Sequence, residues 1–221
     1  MTPAEARALR RGAERFGVEP DVAALDRLER YLATFEVWRR RIGLTSERDV
    51  RLLIERHVVD SFAAAPDLPA RGRILDIGSG AGFPGLILGC LRPDLELVLI
   101  DSRRKRASFL LAAIRATGLP NARALELRAE DAATDAELAG SATVVIARAL
   151  RLDAFVALGA PLLAVDGRLV AMQTPGAARA AGTIAETHGV EVVAKRDYAL
   201  ADGARRTIFV FAREKSPPTV S

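Results

Sequence analysis

Apolar positions along this chain change period near residue 65. Before it they recur every third or fourth residue, the helical spacing; after it they gather in short runs that alternate with helical stretches. Residues 3–17 read as a short helix, with Pro3 near its start and Gly17 near its end. Over 21–41 the stripe Val22, Leu25, Leu28, Leu32, Phe35 and Trp38 predicts an amphipathic helix that Asp21 can cap. Gly43-Leu44-Thr45-Ser46 reads as a turn. A third helix is expected from about 49 to 64, burying Leu53, Ile54, Val58 and Phe62, and Pro66, Pro69 and Gly72 close the helical segment. Strands follow at 73–77, 96–100, 122–127, 143–147 and 168–172, with helices predicted between them. Asp166-Gly167 reads as a turn before the fifth strand, and 177–188 as a helix despite Gly182. Strands at 190–197 and 206–212, joined through Ala201-Asp202-Gly203, should pair antiparallel because their join is short. The order predicts an α/β fold: helical extension 1–72, doubly wound sheet domain 73–213, loose tail 214–221.

The chemistry concentrates where the first strand ends. Ile74, Leu75 and Ile77 are followed at once by Gly78, Gly80, Gly82 and Gly85. A strand, a glycine turn and a helix start bring backbone close to a ligand's polar end. Asp101 ends the second strand, where an acid can accept hydrogen bonds from both hydroxyls of a ribose. Gly80-Ala-Gly82-Phe-Pro-Gly85 spells a dinucleotide fingerprint, whereas Gly78-Ser-Gly80-Ala-Gly82, preceded by Asp76, resembles motif I of the class I S-adenosylmethionine (SAM)-dependent methyltransferases. The register favours SAM, since Gly78 directly follows the strand; a dinucleotide or a purely structural turn are the competing readings. Glu130 stands where it can face an adenine, or cap the next element. Arg148 falls just beyond the fourth strand, at the edge where open α/β sheets bind ligands.

Composition narrows the class. Half of the 221 residues are apolar, the net charge is +4, and aromatics are only 5%. The balance permits an acidic partner but limits base stacking. Arginine clusters at Arg39-Arg40-Arg41 and Arg103-Arg104-Lys105-Arg106, with a pair at Arg205-Arg206. Arg39–Arg41 can contact phosphate or simply end a helix in solvent. The single cysteine, Cys90, excludes an internal disulfide and a cysteine-rich metal site, and sits on an apolar helix as filler. Two histidines, His57 and His188, do not suggest a zinc centre. No secretory signal core and no membrane-spanning apolar run is present, so a cytoplasmic monomer without metal is expected.

Taken together, Arg56-His57-Val-Val-Asp60-Ser61, Ile77-Gly78-Ser-Gly-Ala-Gly-Phe-Pro-Gly85, Leu99-Ile-Asp101-Ser102 with Lys105-Arg106, Arg128-Ala-Glu130 and Ile146-Ala-Arg148-Ala149-Leu150 resemble the ribosomal small-subunit guanine-N7 methyltransferase family, also called glucose-inhibited division protein B. The resemblance runs from about Leu28 to Ala212. It implies a Rossmann-like class I SAM-dependent methyltransferase fold, with a seven-stranded sheet whose last strand is antiparallel, and methyl transfer to N7 of a guanine in 16S ribosomal RNA. It puts Gly78, Phe83, Ala129, Glu130 and Arg148 at SAM-binding positions, beside Gly80, Gly82 and Asp101 from the reading above. Arg148 would align the reacting groups and act electrostatically, with no general base. Arg39, His57, Asp60, Lys105 and Gln173 are the substrate-side candidates. The chain departs from the family pattern at Trp38-Arg39 and Gly43-Leu44-Thr45, where the family has Trp-Asn and Asn-Leu-Thr, and at Gln173, where it has Lys-Gly. The alternatives are a SAM-dependent methyltransferase acting on another RNA or a small molecule, and a non-enzymatic RNA-binding protein. The latter would explain the arginines but not the ordered cofactor motif.

Overall fold

A computed structural model describes residues 1–47 and 49–214, apart from the side chain of Ala178. The expected tail lies outside the described residues except for Glu214. Among the described residues four α-helical segments precede the sheet: α1 (Pro3–Glu14), α2 (Val22–Arg39), α3 (Val50–Leu53) and α4 (Val59–Phe62), the last two joined without a break by a π-helical turn, Ile54–Val58. Thr2 and Glu5 form a capping box on α1, and Asp21 and Asp49 cap α2 and α3 by accepting backbone N–H bonds. The third predicted helix is therefore present over 50–62, but wound one residue wide at its centre.

The alternating part runs β1 (Arg73–Ile77), α5 (Gly85–Leu91), β2 (Glu96–Asp101), α6 (Arg104–Thr117), β3 (Ala122–Glu126), α7 (Ala129–Ala132), β4 (Ala142–Ala147), α8 (Leu152–Gly159), β5 (Leu163–Gln173), α9 (Ala181–Thr187), β6 (Val190–Ala199) and β7 (Arg205–Arg213). The sheet has seven strands in the order β3-β2-β1-β4-β5-β7-β6. β1 to β5 pair in parallel, and β7 slots antiparallel between β5 and β6. The order reverses between β1 and β4, so the crevice for a ligand opens at their carboxyl ends.

Period-two alternation sorts the strand residues onto two cores. Ile74, Leu97, Leu99, Val144, Ile146, Val170, Met172, Ile208 and Val210 share one core with Leu9, Leu28, Tyr31, Phe35 and Phe62 of the helical cap. Leu75, Val98, Val145, Leu169, Phe209 and Phe211 pack on the other face with Phe155 and Val156 of α8. The cap is thus continuous with the sheet's core.

Several local expectations are corrected. Val22 is 83% exposed, because it opens α2 beyond the edge of the core, while Tyr31, outside the predicted stripe, is fully buried. Burial of that phenol is tolerated because its hydroxyl donates to the Ala81 carbonyl at 2.6 Å. Asp166-Gly167 is not a turn but part of β5. Gly167 is there because a Cβ would lie 2.6 Å from the Ala142 carbonyl oxygen, at the register shift between β4 and β5. The predicted helix over 177–188 splits into a 3₁₀ turn, Pro175–Ala180, and α9. The helix predicted between the fourth and fifth strands ends at Gly159, and Ala160–Leu162, which contains Pro161, is 3₁₀. Cys90 is buried, as its apolar helix suggests, and burial pushes its thiol up to about 12.

Candidate active site

The glycine turn is built for close approach. Gly78, Gly80 and Gly82 all have positive φ, at 73°, 57° and 87°. A Cβ on Gly78 would enter a slot 3.7 Å from Leu150 carbons, and one on Gly80 would lie 3.6 Å from the Arg106 guanidinium. The turn therefore presents bare backbone to a gap that a side chain would fill, which fits a bound cofactor. Asp101 ends β2 beside it. Its Oδ2 accepts from Gly80 N at 2.9 Å and its Oδ1 from Arg103 N at 2.8 Å. A carboxylate has acceptor capacity beyond two bonds, so ribose hydroxyls can still be held. Arg106 lies 3.6 Å from Asp101 Oδ2, so of the basic cluster it is Arg106 that reaches the turn, while Lys105 is exposed. Ala129 and Glu130 open α7 just after β3, the strand next to β2; Glu130 is exposed.

Asp76 sits beneath the turn on the face covered by the cap. Its Oδ2 accepts from Gly85 N at 2.9 Å, and its Oδ1 has no hydrogen-bond partner among the described residues. Burial raises its pKa from 3.8 to about 7.

Arg148 follows β4 and points under the cap. It pairs with Asp60, Nη1 to Oδ2 at 3.3 Å. Its Nη2 is 2.9 Å from His57 Nδ1. A guanidinium only donates, so Nδ1 must accept, and His57 is the neutral Nε2–H tautomer. Burial, and then the Arg148 charge, lower the His57 pKa from 6.5 to about 4. His57 and Asp60 are thus joined through Arg148. Phe83 completes the group: its ring stacks on His57 at 5.2 Å and 18°, and the Arg148 guanidinium lies 5.0 Å from its centroid. Tyr31 meets Phe83 edge-on from α2.

A cavity of about 520 Å³ opens beside this cluster, bounded by His57, Asp60, Arg148, Gln173, Arg206 and Glu47 among others. Gln173 donates to the Leu150 carbonyl at 2.9 Å, tying the end of β5 to the loop after Arg148. Arg39 ion-pairs with Glu36 and donates to the Glu47 carbonyl, next to a residue of the cavity wall rather than in it. Phe83, Arg148, His57 and Asp60 are brought into one cluster, with Gln173 on the cavity wall beside it and Gly78 facing Leu150; Lys105 is exposed on α6 and Glu130 is exposed at the start of α7. The sequence reading missed Tyr198, whose hydroxyl donates to Asp60 Oδ1 at 2.7 Å, and the cavity residues Glu47 and Arg206. For Arg206 the adjacent pair of arginines was a signal; for Tyr198 there was none.

A parallel sheet closed by one inserted antiparallel strand, with a glycine turn at the reversal point and an acid at the end of the neighbouring strand, defines a class I SAM-dependent methyltransferase. Solved structures agree on the fold. M. jannaschii TYW2 in complex with AdoMet superposes with a TM-score of 0.59 at 14% identity, over 79% of this chain and 80% of that one. The ribosomal protein L11 methylase of Lactobacillus delbrueckii subsp. bulgaricus gives 0.57 at 10% identity, over 72% and 79%. Within this class the chain belongs to the rRNA small subunit methyltransferase G family, whose sequence model matches residues 24–201. A relative named Ribosomal RNA small subunit methyltransferase G from Geobacter sp. (strain M21) is 38% identical over 171 residues, 77% of this chain and 78% of the relative. One of the same name from Chromohalobacter salexigens is 34% identical over 216 residues, 96% and 100%.

Proposed function

We propose that this enzyme transfers a methyl group from SAM to N7 of a guanine in small-subunit (16S) ribosomal RNA. The observation that carries the reading is the joining, in one cluster, of the glycine turn's Phe83 with Arg148, His57 and Asp60, at the mouth of an arginine-edged cavity. When bound, SAM supplies an electrophilic methyl group on a sulfonium. Gly78, Gly80, Gly82, Phe83, Asp101, Ala129 and Glu130 would hold it. Guanine N7 already presents a lone pair and carries no proton, so the protein has no proton to remove at the acceptor. What it contributes is alignment and a suitable field. Arg148 uses two of its N–H groups on His57 and Asp60, which leaves others of its five donors for ligand groups. The Asp60 carboxylate balances its charge, so a cationic sulfonium nearby meets a paired arginine and not a bare one. His57, neutral and accepting, orients the guanidinium without competing for the acceptor's lone pair. Arg39, Gln173 and Arg206 are the substrate-side residues in this reading, and residues 1–72 are part of the site because they supply His57 and Asp60. The enzyme would act in the cytoplasm, as one copy, on RNA or on the small-subunit particle.

The test is methyl transfer from labelled SAM to small-subunit particles lacking the modification, with base-resolved mapping. A label on one guanine N7 supports the assignment. A label on another atom or another RNA keeps the methyltransferase and rejects the substrate, and Gln173, which departs from the family's Lys-Gly, is then the first residue to change.

A further inference from the structure

Asp60 is 2% exposed and divides its carboxylate between two partners. Oδ2 accepts from Arg148 Nη1 at 3.3 Å, and Oδ1 accepts from the Tyr198 hydroxyl at 2.7 Å. Tyr198 stands near the end of β6, the far edge of the sheet, and reaches the cap from there. The ring of Phe16, just past the end of α1, meets it edge-on with centroids 5.4 Å apart. Arginine takes a carboxylate as a two-pronged fork when both oxygens face it. Here the Tyr198 bond fixes how the carboxylate is turned, and only Oδ2 meets Arg148. We infer that Tyr198 is a positioning residue for methyl transfer: by holding Asp60 Oδ1 it restricts Asp60 to a single-oxygen contact and keeps the Arg148 guanidinium turned toward His57. Without that hydroxyl, Asp60 draws Arg148 into the fork and away from His57 Nδ1, and the low dielectric of the buried site strengthens the pull. Tyr198 itself stays protonated at any working pH, since burial and then the Asp60 charge raise its pKa. The kinetic consequence rests on the proposed function; the geometric one does not.

Tyr198→Phe removes one oxygen and leaves the ring against Phe16, so it tests the inference with the fold kept. Nitrogen NMR of His57 is the first readout. The wild type should show the neutral Nε2–H tautomer with a hydrogen-bonded Nδ1, and the variant should show that bond weakened and the tautomers mixed. An unchanged His57 spectrum overturns the inference, whatever the substrate. The second readout is a double-mutant cycle with Arg148→Lys on unmodified small-subunit particles. In the wild-type background Tyr198→Phe should lower kcat about tenfold, the scale of one hydrogen bond, with KM for the particle held within about twofold. In the Arg148→Lys background it should change little. Equal losses in both backgrounds, or a lower Tm with kcat intact, overturns the positioning role. Wild-type protein that binds SAM but methylates no ribosomal RNA rejects the proposed function, and the NMR readout still decides the role of Tyr198.

Discussion

Arg148 is where one side chain decides most. It lies over Phe83, bonds His57 and pairs with Asp60, so its removal costs both alignment and charge balance. Arg148→Ala should lower methyl transfer by about a hundredfold or more, on the scale of losing a preorganised electrostatic contact. Lys should rescue poorly because it keeps the charge without the planar fork. Transfer measured beside Tm and SAM affinity checks this, and full activity in a folded Arg148→Ala protein would remove Arg148 from the mechanism. Half-buried His57 and buried Asp76 also predict pH effects of opposite sign. The His57 pKa is depressed to about 4, so the folded state binds fewer protons than the unfolded one, and the stability it contributes is lost as pH falls from 6.5 through 4. The His57 ring protons should titrate in that acid range, and a midpoint near 6.5 would contradict the half-buried, arginine-facing geometry. The Asp76 pKa is raised to about 7, so here the folded state binds more protons, and stability falls as pH rises from 3.8 through 7. Asp76→Asn should flatten that fall, which urea unfolding of both proteins at about pH 5 and about pH 8 would detect.

The elements carry a second set of consequences, and the glycines separate them. Gly167 lies inside β5 with the Ala142 carbonyl 2.6 Å from where a Cβ would stand. Backbone cannot move aside cheaply, so Gly167→Ala should destabilise by about 1–3 kcal/mol, the usual cost of overpacking. Gly182 lies early in α9, exposed, with nothing within 4 Å of its notional Cβ. Gly182→Ala should stabilise by about 0.5–1 kcal/mol through helix propensity and a less flexible unfolded chain. Chemical denaturation of the pair would test the distinction, and equal effects would refute it. The π-helical turn matters in the same local way. It carries Arg56 and His57, and Arg56, on the cavity wall, ion-pairs with both Glu47 and Asp202. Wide turns of this kind recur at functional sites because they re-aim side chains without breaking the helix.

At the scale of the whole molecule the charge is +4, modest for an RNA enzyme, but it is not evenly spread. Arg56, Arg148, Arg151 and Arg206 all border the cavity. Binding of RNA should therefore weaken with salt as counterions are released, and Arg206→Gln should lower both the affinity and the steepness of that salt dependence. SAM affinity should stay unchanged, since Arg206 lies on β7, away from the glycine turn. A variant that binds RNA with the wild-type salt slope would place the phosphates elsewhere.

The local features were legible from residue order alone. A strand followed by Gly78, Gly80 and Gly82, an acid at the end of the next strand and an arginine beyond the fourth are set by short-range hydrophobic period and by backbone conformations that glycine permits. From these the fold class and the position of Arg148 follow. Tertiary structure alone decided what Arg148 touches. His57 is 91 residues away and Asp60 is 88, and they meet it only because the cap docks on the sheet through Tyr31, Phe35 and Phe62. Tyr198 is 138 residues from Asp60 and reads, in Lys195-Arg196-Asp197-Tyr198, as one more position on an alternating strand. Which strand inserts beside β5, and so which end of β6 reaches the cap, depends on pairing across the whole sheet, and residue spacing carries no record of it. Gly167 misled for a related reason: a close backbone approach and a turn both call for glycine, and only the packed sheet tells them apart.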